Sequence, residues 1–192
     1  MTVVALGDSL TAGYGLPAED GLVPQLQAYL TAQGQDVIVQ NAGVSGDTTA
    51  GGLSRVDWAL GPDADAVIVT LGGNDMLRGI DPAAVRDNLD GILKAAQARG
   101  LPVLLVGMKA PGNYGPDYKA DFDAIYPGLS ATYGTGLVDS FFAPIIAVGG
   151  QQLNPDLMQA DGTHPNAKGV AAVVAMLGPA VVELVQGVPP PP

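Results

Sequence analysis

At 192 residues, 47% of them hydrophobic and only 14% charged, the chain suits one domain that removes roughly 70% of its unfolded surface from water, and it is too apolar for a disordered segment. A formal charge of −11, with no lysine or arginine cluster to offset it, argues against nucleic acid or an anionic membrane as a partner and favours neutral substrates. The absence of cysteine excludes thiolate chemistry and thiolate metal sites.

Thr2-Val3-Val4-Ala5-Leu6 reads as a short strand buried on both faces. It ends in Gly7-Asp8-Ser9-Leu10, a turn that projects Ser9 from the carboxyl edge of a sheet, where open α/β sheets place their ligands. No basic, apolar leader stands before this strand, which leaves the compartment open: periplasmic or secreted if a leader has been removed, otherwise cytoplasmic. Leu22, Leu26, Tyr29 and Leu30 fall at helical spacing within residues 21–33, with Gly34 as a stop. Val37-Ile38-Val39 is a second strand, followed by the turn-rich stretch Asn41 to Thr48, whose Asp47 or Thr48 caps a helix running to about Leu60. A third strand, 66–71, ends in Gly72-Gly73-Asn74-Asp75.

The clearest helix follows, with Asp81 at its cap, Pro82 in its first turn, and Val85, Leu89, Ile92, Leu93 and Ala96 on one face. A fourth strand, 102–106, opens into a loop over 108–115 too rich in glycine and proline for regular structure. Residues 117–133 follow helical spacing, with a break or kink expected at Pro127. Gly136 to Val138 is a short fifth strand, 141–148 a short helix, 149–161 a loop, and 165–186 the closing helix, with Pro165 in the first helical position. The stretch 169–182 is the most membrane-like, but it is shorter than the ~20 residues needed to span and contains Gly178 and Pro179, so it reads as a buried helix and no stable membrane insertion is expected. Residues 1–187 form a single domain, and 188–192 a proline-rich end without regular structure.

Alternating strands and helices imply a mostly parallel sheet covered on both faces by right-handed crossovers. In a 2-1-3-4-5 order, the turns after the first and third strands, carrying Ser9 and Asn74, flank the switch point. His164 is the only histidine, so imidazole chemistry must use it. A serine hydroxyl needs such a base to take its proton as it attacks. Asp161 precedes His164 by a spacing at which a tight turn brings the two side chains together, and a carboxylate there fixes the tautomer and stabilises the imidazolium. Backbone N–H groups of Ser9 and Gly43 and the Asn74 carboxamide are the candidate donors for the oxyanion of a tetrahedral intermediate.

Gly7-Asp8-Ser9-Leu10, Gly43 within Asn41 to Thr48, Gly72-Gly73-Asn74-Asp75 and Asp161-Gly162-Thr163-His164-Pro165 resemble, in order, the four sequence blocks of the GDSL/SGNH hydrolase superfamily. Leu77-Arg78-Gly79, Pro111 to Gly115 and Ile125-Tyr126-Pro127 further resemble its bacterial arylesterase/thioesterase/lysophospholipase branch. The resemblance implies a three-layer α/β/α, flavodoxin-like fold with a five-stranded sheet, and hydrolysis of carboxylic esters without metal or cofactor. It implies Ser9 as nucleophile, His164 as base and then acid, Asp161 as its orienter, and a mobile substrate-side loop over Lys109 to Gly115. Met76, Leu77, Met108, Ala110, Pro111 and Met158, near the block ends and with Tyr114 beside them, are candidates for an acyl groove, and Asp8, Asp75 and Asn113 are further candidates for binding substrate.

The expected substrate is a small aryl or short-to-medium acyl ester. An acyl-CoA thioesterase or lysophospholipase, or a carbohydrate-ester deacetylase of the same superfamily, would use identical catalytic residues. A receiver-like module phosphorylated on Asp8 with Mg²⁺ and Lys109 is the rival from another class, but it leaves Ser9, Asn74, Asp161 and His164 without a task. Oligomeric state is not encoded in these patterns.

Overall fold

A computed structural model describes residues 1–148 and 152–188. Strand β1 (Thr2–Gly7) leads into α1 (Ser9–Ala12) and α2 (Leu22–Ala32), and β2 (Ile38–Gly43) into α3 (Thr49–Ala59). Then β3 (Ala66–Thr70) leads into α4 (Gly73–Leu77) and α5 (Pro82–Ala98), and β4 (Val103–Val106) into α6 (Pro116–Asp123) and α7 (Ile125–Tyr133). Last come β5 (Gly136–Val138) and α8 (Ala167–Gln186). These five strands pair in parallel throughout, in the order β2-β1-β3-β4-β5, as the alternation of elements implies.

The central strands β3 and β4 are buried along their whole length, as is β1 after Thr2, because helices cover both faces. α2 packs on α8, while α3, α5 and α7 pack side by side. In α5 the Asp81 carboxylate accepts the Ala83 N–H at 2.9 Å, and Val85, Leu89, Ile92, Leu93 and Ala96 are all essentially inaccessible. Burial of each large side chain in that stripe contributes about 1.5–3 kcal/mol. α8 is long and apolar enough to cross a bilayer, but Val170, Val173, Leu177 and Val181 are buried in the core, and Gly178 lets α8 press directly on Tyr29 of α2.

Four expectations are corrected. β2 does not stop at Val39 but pairs with β1 as far as Gly43. The 117–133 segment breaks at Ala124 rather than Pro127; Pro127 lies in the first turn of α7, where a missing N–H costs little because those donors have no intrahelical acceptor. Residues 141–148 form no α-helix but a 3₁₀ turn at Ala143–Ile145 followed by an antiparallel bridge from Ile146 to Leu153, since Pro144 removes a donor and restricts the residue before it. Pro165 is not the first residue of α8: Asn166 takes the cap, accepting the N–H groups of Lys168 and Gly169 at 3.0 and 3.1 Å, and Pro165 instead bridges Met158. Residues 189–192, most of the expected proline-rich end, lie outside the described residues.

Candidate active site

Register sets the site. Gly7 at the end of β1 lies level with Gly43 in β2 and Thr70 in β3, so the turns leaving three neighbouring strands start side by side. At the first, Asp8 caps α1 by accepting the Leu10 N–H at 3.0 Å. Ser9 opens the helix, and its own N–H has no acceptor among the described residues.

The imidazole reaches this turn from the far end of the chain. Asp161 Oδ1 accepts the N–H groups of Thr163 and His164 at 2.9 and 3.0 Å, which winds 161–164 into a tight turn. That leaves Asp161 Oδ2 2.7 Å from His164 Nδ1, and His164 Nε2 2.8 Å from Ser9 Oγ. The Gln159 N–H donates to the His164 carbonyl at 2.8 Å, fixing the segment from behind. The His164 and Thr163 N–H groups and then the imidazole hold the Asp161 carboxyl down to about 2, so it stays ionised beside the ring at any pH near neutrality. Burial pushes the neighbouring Asp8 carboxyl up to about 6, against the downward pull of the Leu10 N–H, His164 and Asn74.

The middle turn is cross-linked to both neighbours. Asn74 Nδ2 donates to the Asp47 carbonyl at 2.9 Å and, more loosely, to Asp8 Oδ2 at 3.3 Å. Arg55 Nε meets the Asp47 carboxylate at 2.7 Å, while its two terminal nitrogens donate to the Ala42 and Gly7 carbonyls, each at 2.9 Å. One guanidinium thereby ties the ends of β1 and β2 to the turn between β2 and α3. Asp75 accepts the Thr49 N–H and hydroxyl at 2.8 and 2.7 Å, which clamps α4 to the start of α3.

Ser9, Asp161, His164 and Asn74 converge as the sequence suggested, but Gly43 does not offer a free donor. Its N–H donates to Asn41 Oδ1 at 2.9 Å, and its α-carbon is pressed against the Ala12 backbone. In the turn that follows, Gly46 has no acceptor for its N–H among the described residues. Its φ of 85° holds it in left-handed backbone, its surroundings are open, and it precedes Asp47, whose carbonyl Asn74 engages.

Of the residues expected to line substrate, Asp75 and Met108 are fully buried and Ala110 and Met158 nearly so, so these four pack the interior instead. Asp8 is also buried and faces Asn74 rather than solvent. Met76 is half-buried, and Pro111, Asn113 and Tyr114 are exposed, with Tyr114 Oη donating to the Leu77 carbonyl at 3.0 Å. Lys109, the cation invoked for a phosphorylated Asp8, is paired with Asp139 at 2.7 Å. Among the described residues no cluster of acidic or histidine side chains suits a metal ion.

Residues 5–172 match the model of the GDSL-like Lipase/Acylhydrolase family. The chain belongs to that family. It is 44% identical to Esterase TesA of Pseudomonas aeruginosa over 165 residues, which is 85% of this chain and 79% of the relative. It is 38% identical to thioesterase 1/protease 1/lysophospholipase L1 of Escherichia coli, over 86% of this chain and 76% of that one. The crystal structure of TesA superposes with a TM-score of 0.86 at 38% identity, covering 96% of this chain and 99% of that one. AlinE4, an SGNH-hydrolase family esterase, gives 0.77 at 45% identity over 95% of each. The protein is accordingly a carboxylic ester hydrolase of the GDSL/SGNH type, built on that family's fold.

Sequence reasoning missed Gly46, Arg55 and Gln159. The second glycine of the Asn41 to Thr48 stretch is the available signal, but the sequence does not tell it from Gly43 unless the end of β2 is known.

Proposed function

We propose that this esterase works by two-step acyl transfer through an acyl-serine on Ser9. Ser9 Oγ attacks the ester carbonyl as His164 Nε2 takes its proton; the same proton then goes to the leaving alcohol, and water activated at Nε2 releases the acid. Asp161 keeps the other imidazole nitrogen protonated and stabilises the imidazolium. The oxyanion is met by the Ser9 N–H, by Asn74 Nδ2 and, in place of Gly43, by the Gly46 N–H. The 3.3 Å contact from Asn74 to Asp8 is the weaker of its two bonds, and it is the one a substrate oxygen takes over.

The observation that carries this is the unbroken line of hydrogen bonds from Ser9 Oγ through His164 to the Asp161 carboxylate. The substrates are small esters of uncharged aryl or short-to-medium acyl type, with Met76, Pro111, Asn113 and Tyr114 on the acyl side. A charge of −11 works against an anionic thioester such as acyl-CoA, although one relative is named a thioesterase.

A serine-directed phosphonate should label Ser9, and Ser9→Ala should lower kcat by about 10⁴–10⁶ while leaving the folding transition intact. Purified Ser9→Ala protein with full turnover would overturn the mechanism. Running p-nitrophenyl esters of increasing chain length beside an acyl-CoA under the same conditions tests the substrate class.

A further inference from the structure

Tyr14 is not used by the mechanism above, yet its ring lies with its centroid 4.8 Å from that of His164, tilted by 38°. It remains 53% exposed, which is unusual for a large aromatic packed beside a buried core. Its backbone is held at both ends. The Tyr14 N–H donates to the Ser9 carbonyl at 3.1 Å, and the Tyr14 carbonyl accepts from Gln159 Nε2 at 2.8 Å. The same Gln159 nitrogen donates to the Pro165 carbonyl at 2.9 Å. The Tyr14 backbone is therefore held to the nucleophile's residue on one side and to the segment carrying the imidazole on the other, its ring lies against the His164 ring, and about half of the residue faces water.

We infer that Tyr14 is a specificity-determining residue that contacts the leaving group, forming an apolar platform for aryl and other flat, uncharged alcohols. This rests on the acyl-serine reading. His164 Nε2 must pass its proton to the leaving oxygen, so that oxygen comes within about 3 Å of Nε2. The first atoms beyond it are then close to whatever packs on the imidazole, and that is the Tyr14 ring. The exposed residues assigned to the acyl side are tied elsewhere: Tyr114 bonds to Leu77, on the loops that follow β3 and β4. Acyl group and leaving group thus meet walls from different parts of the chain. An aromatic leaving group gains from an offset or tilted contact with a tyrosine ring; a short alkoxide has too little surface to gain comparably.

The test compares phenyl butyrate with ethyl butyrate, which share an acyl group, and reads kcat/KM, which reports binding and acylation only. Tyr14→Ala should lower kcat/KM for the phenyl ester by about 3- to 10-fold, the size expected of one aromatic contact, and leave the ethyl ester within about twofold. Tyr14→Phe should retain the preference, and Tyr14→Leu, which keeps bulk without the ring, should fall between. The acyl chain-length profile should not move in any of them. Equal losses on both esters would mean that Tyr14 acts through the imidazole, and no loss on either would mean that it touches nothing; each outcome overturns the proposal. Ser9→Ala run in the same assay keeps the two readings apart. If that variant still hydrolyses the esters, the acyl-serine mechanism fails and takes this proposal with it; if it is silent, the Tyr14 ratios judge the platform alone.

Discussion

The turns leaving β1, β2 and β3 and the loop leaving β4 follow the same edge of the sheet but are held in different ways. The first three are laced together by buried or half-buried polar groups: Arg55 on Gly7, Ala42 and Asp47, Asn74 on Asp47 and Asp8, and Asp75 on Thr49. The fourth is tethered at its base by the Ala110 N–H and Lys119 to Asp123, and its tip, Pro111 to Tyr114, is exposed and meets the turn after β3 through Tyr114, whose ring packs on Gly79 and whose Oη donates to the Leu77 carbonyl. Acyl transfer needs donors placed to a few tenths of an ångström, whereas an acyl groove tolerates displacement. Polar cross-links are spent where distance decides rate.

That contrast can be broken from the chemical side first. Asp161→Asn leaves the turn donors an oxygen to bond but lets the imidazole adopt the wrong tautomer, so kcat should fall by about 10³–10⁴, read in a steady-state assay with KM little changed. On the proposed mechanism Asn74→Ala removes one oxyanion donor, and it should cost about 10²–10³ in kcat. Asn74→Asp should do no better than the alanine, because a carboxylate repels the developing charge; recovery of activity in that variant would remove Asn74 from the donor set.

Arg55→Lys comes next. It keeps the charge but cannot span Gly7, Ala42 and Asp47 at once, so the strand ends are free to shift. We expect kcat to drop about tenfold, the scale of one misplaced donor, with KM near the parent value and a loss of about 1–3 kcal/mol in chemical denaturation for the unpaired carbonyls. A purely structural role would change the denaturation midpoint and leave kcat alone. Against these, Tyr114→Phe on the exposed loop removes only the Leu77 bond and should change KM by no more than about threefold, a loss near 0.5 kcal/mol, with kcat unaltered.

The same contrast explains what the sequence made visible. Helix α5 was legible because one-sided burial imposes a helical period on its apolar residues, strands β1 and β3 because burial on both faces makes them unbroken apolar runs, and the Ser9–His164 pairing because the chain offers one imidazole. The end of β2 was not, because Gln40 to Gly43 pair through backbone groups alone on an edge strand whose side chains are largely exposed, so no apolar pattern marks them. Without that boundary the sequence does not separate Gly43, which lies in the strand, from Gly46, which lies in the turn after it. Arg55 was invisible for a related reason: two of its three partners are carbonyls, and a carbonyl has no side-chain signature. The expected substrate wall mixed interior and surface because Met108, Ala110 and Met158 are as apolar as a pocket lining and only packing tells the two apart.

The smallest effect concerns Asp8, a carboxyl buried between core and site. Its folded value of about 6 lies above that of an unfolded aspartate, so between pH 4 and 6 the folded protein holds more of this proton than the unfolded chain does. Stability from this group is therefore greatest below pH 4 and lost as pH rises through 6. Asp161, held down to about 2, has the opposite sign: its contribution is present above pH 4 and lost as pH falls toward 2, and its partly exposed carboxylate makes it small. Denaturation midpoints measured from pH 4 to 7 should thus decline for the parent through the Asp8 window and flatten in Asp8→Asn, which keeps an oxygen for the Leu10 N–H but carries no charge to bury. An unchanged slope in that variant would place the titration elsewhere, and a two-dimensional NMR titration of the carboxyl carbon would show where.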